Sequence, residues 1–250
     1  MSLTIQALKV GTVHGFSQAS LTYNRGHFDV TDFAIYMFLV TGGEKLLLVD
    51  TGPGTPAEVK ERHGFTMTQT PEEEPRAALA NAGVRPEDIE IIVNTHLHWD
   101  HCTNNDLFPN AKILVQDAEL KYAVNPYPPG RASYERRPGM VPVWTKALGS
   151  TEGRSGDYDL MRGARVVTLP GHTPGSQGVL VQGASKRYLI AGDCVSCYAN
   201  WTGDASLAHI PSGSFTSLGD YMSTFDKIEL LDCEVIPSHD LTVAEHPIFT

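Results

Sequence analysis

The sequence predicts an α/β protein, and three observations predict it. Short apolar, β-branched runs such as Ile91-Ile92-Val93 recur along the chain. Segments with apolar residues at helical spacing fall among them, Ser217 to Leu231 being the clearest. Polar residues of metal-ligand type stand directly after the apolar runs, at Asp50, His96 to His101, His172, Asp193 and His239. Strands packed in a sheet deliver such residues to one edge, and edge loops on a rigid scaffold are where function concentrates.

In order, Leu3 to Val10 reads as a first strand. His14 to Phe33 is mixed and turn-rich, with four aromatics and the Asn24-Arg25-Gly26 turn. It suits a loop over a site and an ordinary loop tacked down by its aromatics equally well. Ala34 to Thr41 and Lys45 to Asp50 flank Gly42-Gly43 as a hairpin. Asp50 then enters a Gly-rich turn, where a carboxylate either orients a metal ligand or caps the turn. Thr70-Pro71 opens a helix through about Ala82, with Glu72 to Glu74 at its dipole-favoured start. Pro86 to Asp88 leads into the strand at Ile91. Lys112 to Gln116 is the next strand, and Asp117 caps a helix to about Val124. Asn125 to Asp159 carries five prolines, too many for a long helix or a central strand, and reads as an irregular insertion able to wall a pocket. Arg165 to Leu169 is a strand. Ser176 to Gln182 and Lys186 to Ala191 form another hairpin, and Glu234 to Ile236 a last short strand. The stripe Leu218, Tyr221, Met222, Phe225, Ile228 and Leu231 is read as core-facing.

The densest stretch is His96-Leu97-His98-Trp99-Asp100-His101. In extended chain, residues two apart point the same way, so His96 and His98 can reach one ion together. Asp100 and His101 are adjacent and can face a second ion at a chain reversal. Imidazole and carboxylate suit zinc, and also iron, manganese or cobalt. A lone histidine after a strand is usually a turn residue, but here three further strand ends repeat the pattern, at His172, Asp193 and His239.

Composition narrows the function classes. With 41% hydrophobic and 19% charged residues, the 250-residue chain has the make-up of a soluble globular protein that can bury a sizeable core. Its net charge of -10 argues against nucleic acid, whose binding needs clustered Lys and Arg. No apolar run approaches a membrane span, and Met1 to Gln6 lacks the pattern of a signal peptide. Four cysteines are few for a disulfide-built protein, so reduced thiols in the cytoplasm are expected. Cys194 and Cys197 have redox-motif spacing, yet they follow Asp193 and read as structural or incidental.

Together, His96-Leu97-His98-Trp99-Asp100-His101, Gly171-His172, Gly192-Asp193 and Ser238-His239 resemble the motif set of the metallo-β-lactamase superfamily. The resemblance covers nearly the whole chain and implies a single domain, 1–250, folded as an αββα sandwich with its metals at one edge. Leu169 to Gln177 and the ligand spacings are most similar to the metal-dependent lactonases, among them the N-acyl homoserine lactone lactonases and 4-pyridoxolactonase. The resemblance implies two divalent ions, zinc first. His96, His98 and His172 would hold one, Asp100, His101 and His239 the other, and Asp193 would bridge them. It further implies that a hydroxide between the ions opens a lactone ring, with Asp100 delivering a proton. Amide, thioester or hydrazide hydrolysis at the same site is the alternative. Many of these lactonases carry a Tyr three residues after the bridging Asp. Here that position is Ser196, so Ser196 or the nearby Tyr198 is expected to take its part. The implied partners are a small lactone or related carbonyl compound and a second copy in a homodimer.

Overall fold

The computed structural model of the chain describes residues 2–250. Its first sheet holds β1 (Thr4–Ser17), β2 (Val30–Thr41) and β3 (Leu47–Val49). After α1 (Gln18–Leu21) and α2 (Pro56–His63) come β4 (Thr66–Thr68), α3 (Pro75–Asn81), β5 (Ile91–Val93), α4 (Trp99–Cys102), β6 (Lys112–Gln116), α5 (Asp117–Val124) and β7 (Thr151–Arg154). The second sheet holds β8 (Tyr158–Met161), β9 (Ala164–Thr168), β10 (Gln177–Gln182) and β11 (Arg187–Ile190). Then follow α6 (Tyr198–Thr202), α7 (Leu218–Leu230), β12 (Glu234–Ile236) and β13 (Ile248–Phe249). The strand order is β13-β1-β2-β3-β5-β6-β7, with β4 also on β1, in one sheet and β12-β11-β10-β9-β8 in the other.

The layers follow from period-two alternation on strands buried on both faces. On β2, Phe33, Ile35, Met37 and Leu39 face an outer layer closed by Val59 of α2 and Leu79 of α3. Ala34, Tyr36, Phe38 and Val40 face the second sheet, meeting Val179, Val181 and Ile190. On that sheet's far side Leu180 and Leu189 pack under Tyr221, Phe225 and Ile228 of α7. The result is helix, sheet, sheet, helix: the αββα sandwich that the sequence implies.

Several elements differ from expectation. β1 runs on to Ser17, with register shifts after Lys9 and Val13 that keep it paired to β2 where a loop was expected. α2 was not anticipated, although Thr55 and Glu58 form the reciprocal capping box that marks a helix start. The helix expected from Thr70 is split, because Glu74 precedes Pro75 and is driven to an extended backbone (φ −58°, ψ 132°). Asp117 lies inside the first turn of α5, with Gln116 as the cap residue. The insertion at 125–159 is irregular only in part, since β7 pairs with β6 and β8 with β9. On α7 Tyr221, Phe225 and Ile228 are buried, but Leu218 and Met222 are exposed at 39% and 40%, so the core stripe is narrower than read.

Candidate metal centre

Strand register assembles the site. β3 and β5 are parallel, with Val49 opposite Val93, so Asp50 emerges beside Asn94 and Thr95. β11 and β12 are also parallel, with Ile190 opposite Ile236, and three residues on from each stand Asp193 and His239. β9 ends at Thr168, and Leu169-Pro170-Gly171 turns the chain to present His172. That turn is close-packed. Gly171 has φ +142°, and a Cβ there would lie 2.6 Å from the Tyr221 Cα. A Cβ on Gly175 would overlap the backbone N–H of Glu119.

The seven side chains expected as ligands converge and are all buried. His96, His98, His172 and Asp193 form one group able to hold a metal ion, and Asp100, His101 and His239 a second. Asp193 joins them. Its Oδ1 lies 3.0 Å from His239 Nε2 and 3.2 Å from His101 Nε2, and its Oδ2 lies 3.4 Å from His172 Nε2. Asp100 Oδ2 lies 3.7 Å from both His101 Nε2 and His239 Nε2.

Outer contacts decide which nitrogen three of the imidazoles offer. His172 Nδ1 donates to the Ser214 carbonyl at 2.7 Å and His239 Nδ1 to the Ala34 carbonyl at 2.8 Å. His101 Nδ1 lies 2.7 Å from Asp50 Oδ2. Asp50 also accepts from Thr95 N–H at 2.7 Å and Thr95 Oγ1 at 2.8 Å, and it adopts a left-handed φ of 60°. Of its two possible parts, orienting a ligand is the one its contacts fit. With Nδ1 engaged, each ring turns a bare Nε2 toward the cluster, the arrangement metal-bound histidines use. His96 Nε2 and His101 Nε2 are buried without a hydrogen-bond partner among the described residues. Orphaned buried nitrogens are rare unless something else satisfies them, so the donor set fits divalent cations.

Electrostatics agree. Burial, reinforced by neighbouring imidazoles, holds His96 and His98 well below the usual histidine range, in the neutral form that binds metal. Burial alone would raise Asp193, but His239, His101 and His172 outweigh it and hold its carboxyl far below normal. Burial would likewise lower His101, yet Asp193, Asp50 and Asp100 outweigh it and raise it.

Of the two residues expected in place of the tyrosine, the structure puts one on the site. Ser196 is buried, lines the cavity over the ligands, and its hydroxyl makes only a long 3.5 Å contact to the Asp193 carbonyl. Tyr198 opens α6, takes Asp240 Oδ2 on its backbone N–H at 2.9 Å and packs against the inter-sheet core, lining neither cavity beside the ligands. Cys194 and Cys197 are free thiols, pushed up by burial, Cys197 to about 11.

One buried group was not read from the sequence. Glu119 accepts from Tyr134 Oη at 2.6 Å, Thr173 Oγ1 at 2.6 Å and Leu97 N–H at 2.9 Å. It ties together the two loops that carry His96, His98 and His172. Burial raises its carboxyl despite those three donors. No local signal marks it, because its partners are distant in sequence.

Comparison with known proteins places this geometry. A family model described as the metallo-beta-lactamase superfamily matches residues 30–239. The chain belongs to that superfamily. It is 29% identical over 162 residues to an N-acyl homoserine lactonase of Bacillus sp, covering 62% of this chain and 60% of that protein. It is 31% identical over 169 residues to the N-acyl homoserine lactonase AttM of Rhizobium radiobacter, covering 63% and 60%. The chain thus spans about 60% of the length of the curated relatives it matches. Among solved structures, an N-acyl homoserine lactone hydrolase with N-hexanoyl-L-homoserine at its catalytic metal centre superposes with a TM-score of 0.81, at 19% identity and covering 98% and 96% of the two chains. AidC, a dizinc quorum-quenching lactonase, superposes at 0.71, with 22% identity and 98% and 89% coverage. At these identities the likeness is one of fold.

Proposed function

We propose that this protein is a metal-dependent hydrolase that opens lactone rings, of the N-acyl homoserine lactone kind or another small lactone. The observation that carries the reading is the pair of adjoining ligand groups bridged by Asp193 and open on one side to a cavity. The lactonase relatives support the choice of bond. His96, His98 and His172 would hold one divalent ion, Asp100, His101 and His239 the other, with Asp193 shared. Zinc is the first choice, with iron, manganese and cobalt as alternatives. Such ions supply Lewis-acid polarisation of a carbonyl and make bound water acidic enough to attack near neutral pH.

The chain's own residues do the rest. Phe16, Phe33, Phe65 and Trp99 form an apolar wall that excludes bulk water. Asp100 reaches both the second ligand group and the cavity, so it can take the proton shed by the attacking water. As the ring carbon–oxygen bond breaks, Asp100 returns that proton to the leaving oxygen, and the product is the open hydroxy acid. Ser196, on the cavity wall, would donate to the substrate carbonyl.

Elemental analysis should find two ions per chain. Proton release against a panel of lactones, thioesters and amides should show lactones opened fastest. His172→Ala should lower the rate by about 10²–10³, the scale on which removal of one transition-state contact acts. Metal-free protein that opened lactones at an undiminished rate would sink the proposal, as would thioester cleavage with lactones inert. Homodimer formation is proposed on analogy alone and is read by sedimentation.

A further inference from the structure

The two ligand groups are braced by different parts of the fold. Asp100, His101 and His239 rest on the first sheet. His101 Nδ1 meets Asp50 just after β3, and Thr51 N–H donates to the His101 carbonyl at 2.8 Å. His239 is held twice by Ala34 of β2, whose carbonyl takes its Nδ1 at 2.8 Å and whose N–H donates to its carbonyl at 3.0 Å. In the other group, His96 Nδ1 lies 3.2 Å from Thr95 Oγ1, and His172 Nδ1 donates to the Ser214 carbonyl. His98 is the exception. Its Nδ1 faces His172 Nε2 at 3.2 Å, and among the described residues its Nε2 makes no hydrogen bond. What braces its ring is a T-shaped contact with Tyr134, the ring centroids 4.6 Å apart.

Glu119, in the first turn of α5, joins these supports. Its Oε1 accepts from Tyr134 Oη at 2.6 Å, so the ring that braces His98 is itself anchored there. The same oxygen accepts at 2.9 Å from the N–H of Leu97, the residue between His96 and His98. Its Oε2 accepts at 2.6 Å from Thr173 Oγ1, the residue after His172. One carboxylate thus gives an oxygen to each loop, and its own rigid geometry bears on how far His98 stands from His172. Glu119, Leu97, Tyr134 and Thr173 are all buried, so water does not compete for these bonds. The close approach is built into the backbone as well, since a Cβ on Gly175 would overlap the Glu119 N–H. Outer partners of this kind orient metal ligands and tune how tightly they bind.

We propose that Glu119 is a positioning residue for one ion only: through Tyr134, Leu97 and Thr173 it sets the spacing of His98 and His172, and with it the affinity of the ion held by His96, His98 and His172. The ion at Asp100, His101 and His239 is held without it. The inference rests on the reading of the site as binuclear and adds that its two ions are separately tunable, one through α5 and the other through β2 and the Asp50 turn. Strand ends deliver the ligands to both groups, but only the first group needs a helix behind it to close.

The test follows zinc itself. His239→Ala leaves the first ligand group whole and His172→Ala leaves the second, so chelator competition against the zinc-loaded protein in each background reads one ion. Glu119→Ala, Glu119→Gln, Tyr134→Phe and Thr173→Val are placed in both. In the His239→Ala background, Glu119→Ala should weaken zinc by about 10–100-fold, the scale on which loss of an outer partner acts. Tyr134→Phe and Thr173→Val each cut one arm and should weaken it about fivefold, the worth of one hydrogen bond. Glu119→Gln should bind nearly as tightly as its parent. Its oxygen can stay on Leu97 N–H and Tyr134 Oη, while its amide donates to Thr173 Oγ1, which turns its own proton to Ser176 Oγ, 2.8 Å away. In the His172→Ala background all four should leave zinc affinity unchanged. Leu79→Ala, which opens a cavity in the outer layer, controls for lost stability. If the Glu119 variants weaken both ions alike, in step with Leu79→Ala at equal loss of melting temperature, Glu119 only supports the fold and the proposal is overturned. Folded Glu119→Ala and Thr173→Val proteins that hold the first ion as tightly as their parent overturn it too. If the wild type takes up no zinc, the binuclear reading falls and takes the proposal with it.

Discussion

Asp50→Asn tests whether the ligand shell is set from outside. The Asp50 carboxylate receives three donors: His101 Nδ1 at 2.7 Å, Thr95 N–H at 2.7 Å and Thr95 Oγ1 at 2.8 Å. An asparagine has one acceptor oxygen and one donor nitrogen. If the oxygen stays on Thr95 N–H, the amide nitrogen confronts the His101 N–H. If it turns to His101, the nitrogen confronts Thr95 N–H. Either way one charge-assisted hydrogen bond is lost, worth about 1.5–3 kcal/mol. The simplest relief moves the His101 proton to Nε2, the nitrogen that faces Asp193 and would bind metal. The loss should therefore appear in metal affinity, weakened by about 10–150-fold at the ion held by His101, in keeping with the effect of removing outer-shell partners of metal histidines. Competition against a chromophoric chelator should resolve one weakened ion and one nearly unchanged. Both ions bound within twofold of wild type by a folded variant would refute the idea that Asp50 sets the tautomer of His101.

Other perturbations follow from the same structure. Glu135 is buried beside Arg62 and His63. Burial would raise its carboxyl, but the hydrogen bonds from His63, Arg62 and Val143 N–H outweigh this and lower it from 4.5 to about 2. A depressed carboxylate stabilises the fold above its unfolded pKa, and that stability is lost as pH falls through the folded value. Stability to urea should thus fall by about 3 kcal/mol between pH 5 and pH 2, and Glu135→Gln should flatten that limb. Gly175→Ala should destabilise by several kcal/mol, because the new methyl overlaps the Glu119 backbone rather than a movable side-chain end; a melting temperature equal to wild type would show that the loop yields. Metal removal by a chelator should lower the melting temperature and re-addition restore it, each ion adding about 4 kcal/mol at a thousandfold excess over its Kd.

The ligands were legible in the sequence because each follows an apolar strand, and parallel pairing turns sequence position into spatial position. Val49 opposite Val93 and Ile190 opposite Ile236 are enough to bring Asp50 to Thr95 and Asp193 to His239. The layers of the sandwich were legible for the same reason, since β2 alternates its side chains between two cores. What was not legible has no period. Nothing within a few residues of Glu119 announces a buried carboxylate with partners on three other segments. β1 runs past the strand suggested by Leu3 to Val10 because the sheet absorbs its irregularities as register shifts. α2 is legible only through Thr55 and Glu58, since its apolar face is a single buried residue, Val59, too little to make a periodic stripe.

Trp99 is where the two kinds of information meet. It stands inside the motif, between His98 and Asp100, yet its side chain is held by the end of α2 and the insertion behind it, and not by strand ends. His63 stacks on it at 4.3 Å, and Ser133 takes its backbone N–H. His63 is itself fixed by Glu135, 3.1 Å away, which also grips Arg62 through two hydrogen bonds of 2.6 and 2.8 Å and Val143 N–H at 2.7 Å. The insertion therefore determines where the indole stands in the aromatic cavity, while His98 and Asp100 on either side are set by the strand β5 and the cluster they face. Changes in 125–142 that leave Tyr134 in place to hold Glu119 should shift which substrates are accepted before they change metal content, because the cavity wall rests on that segment.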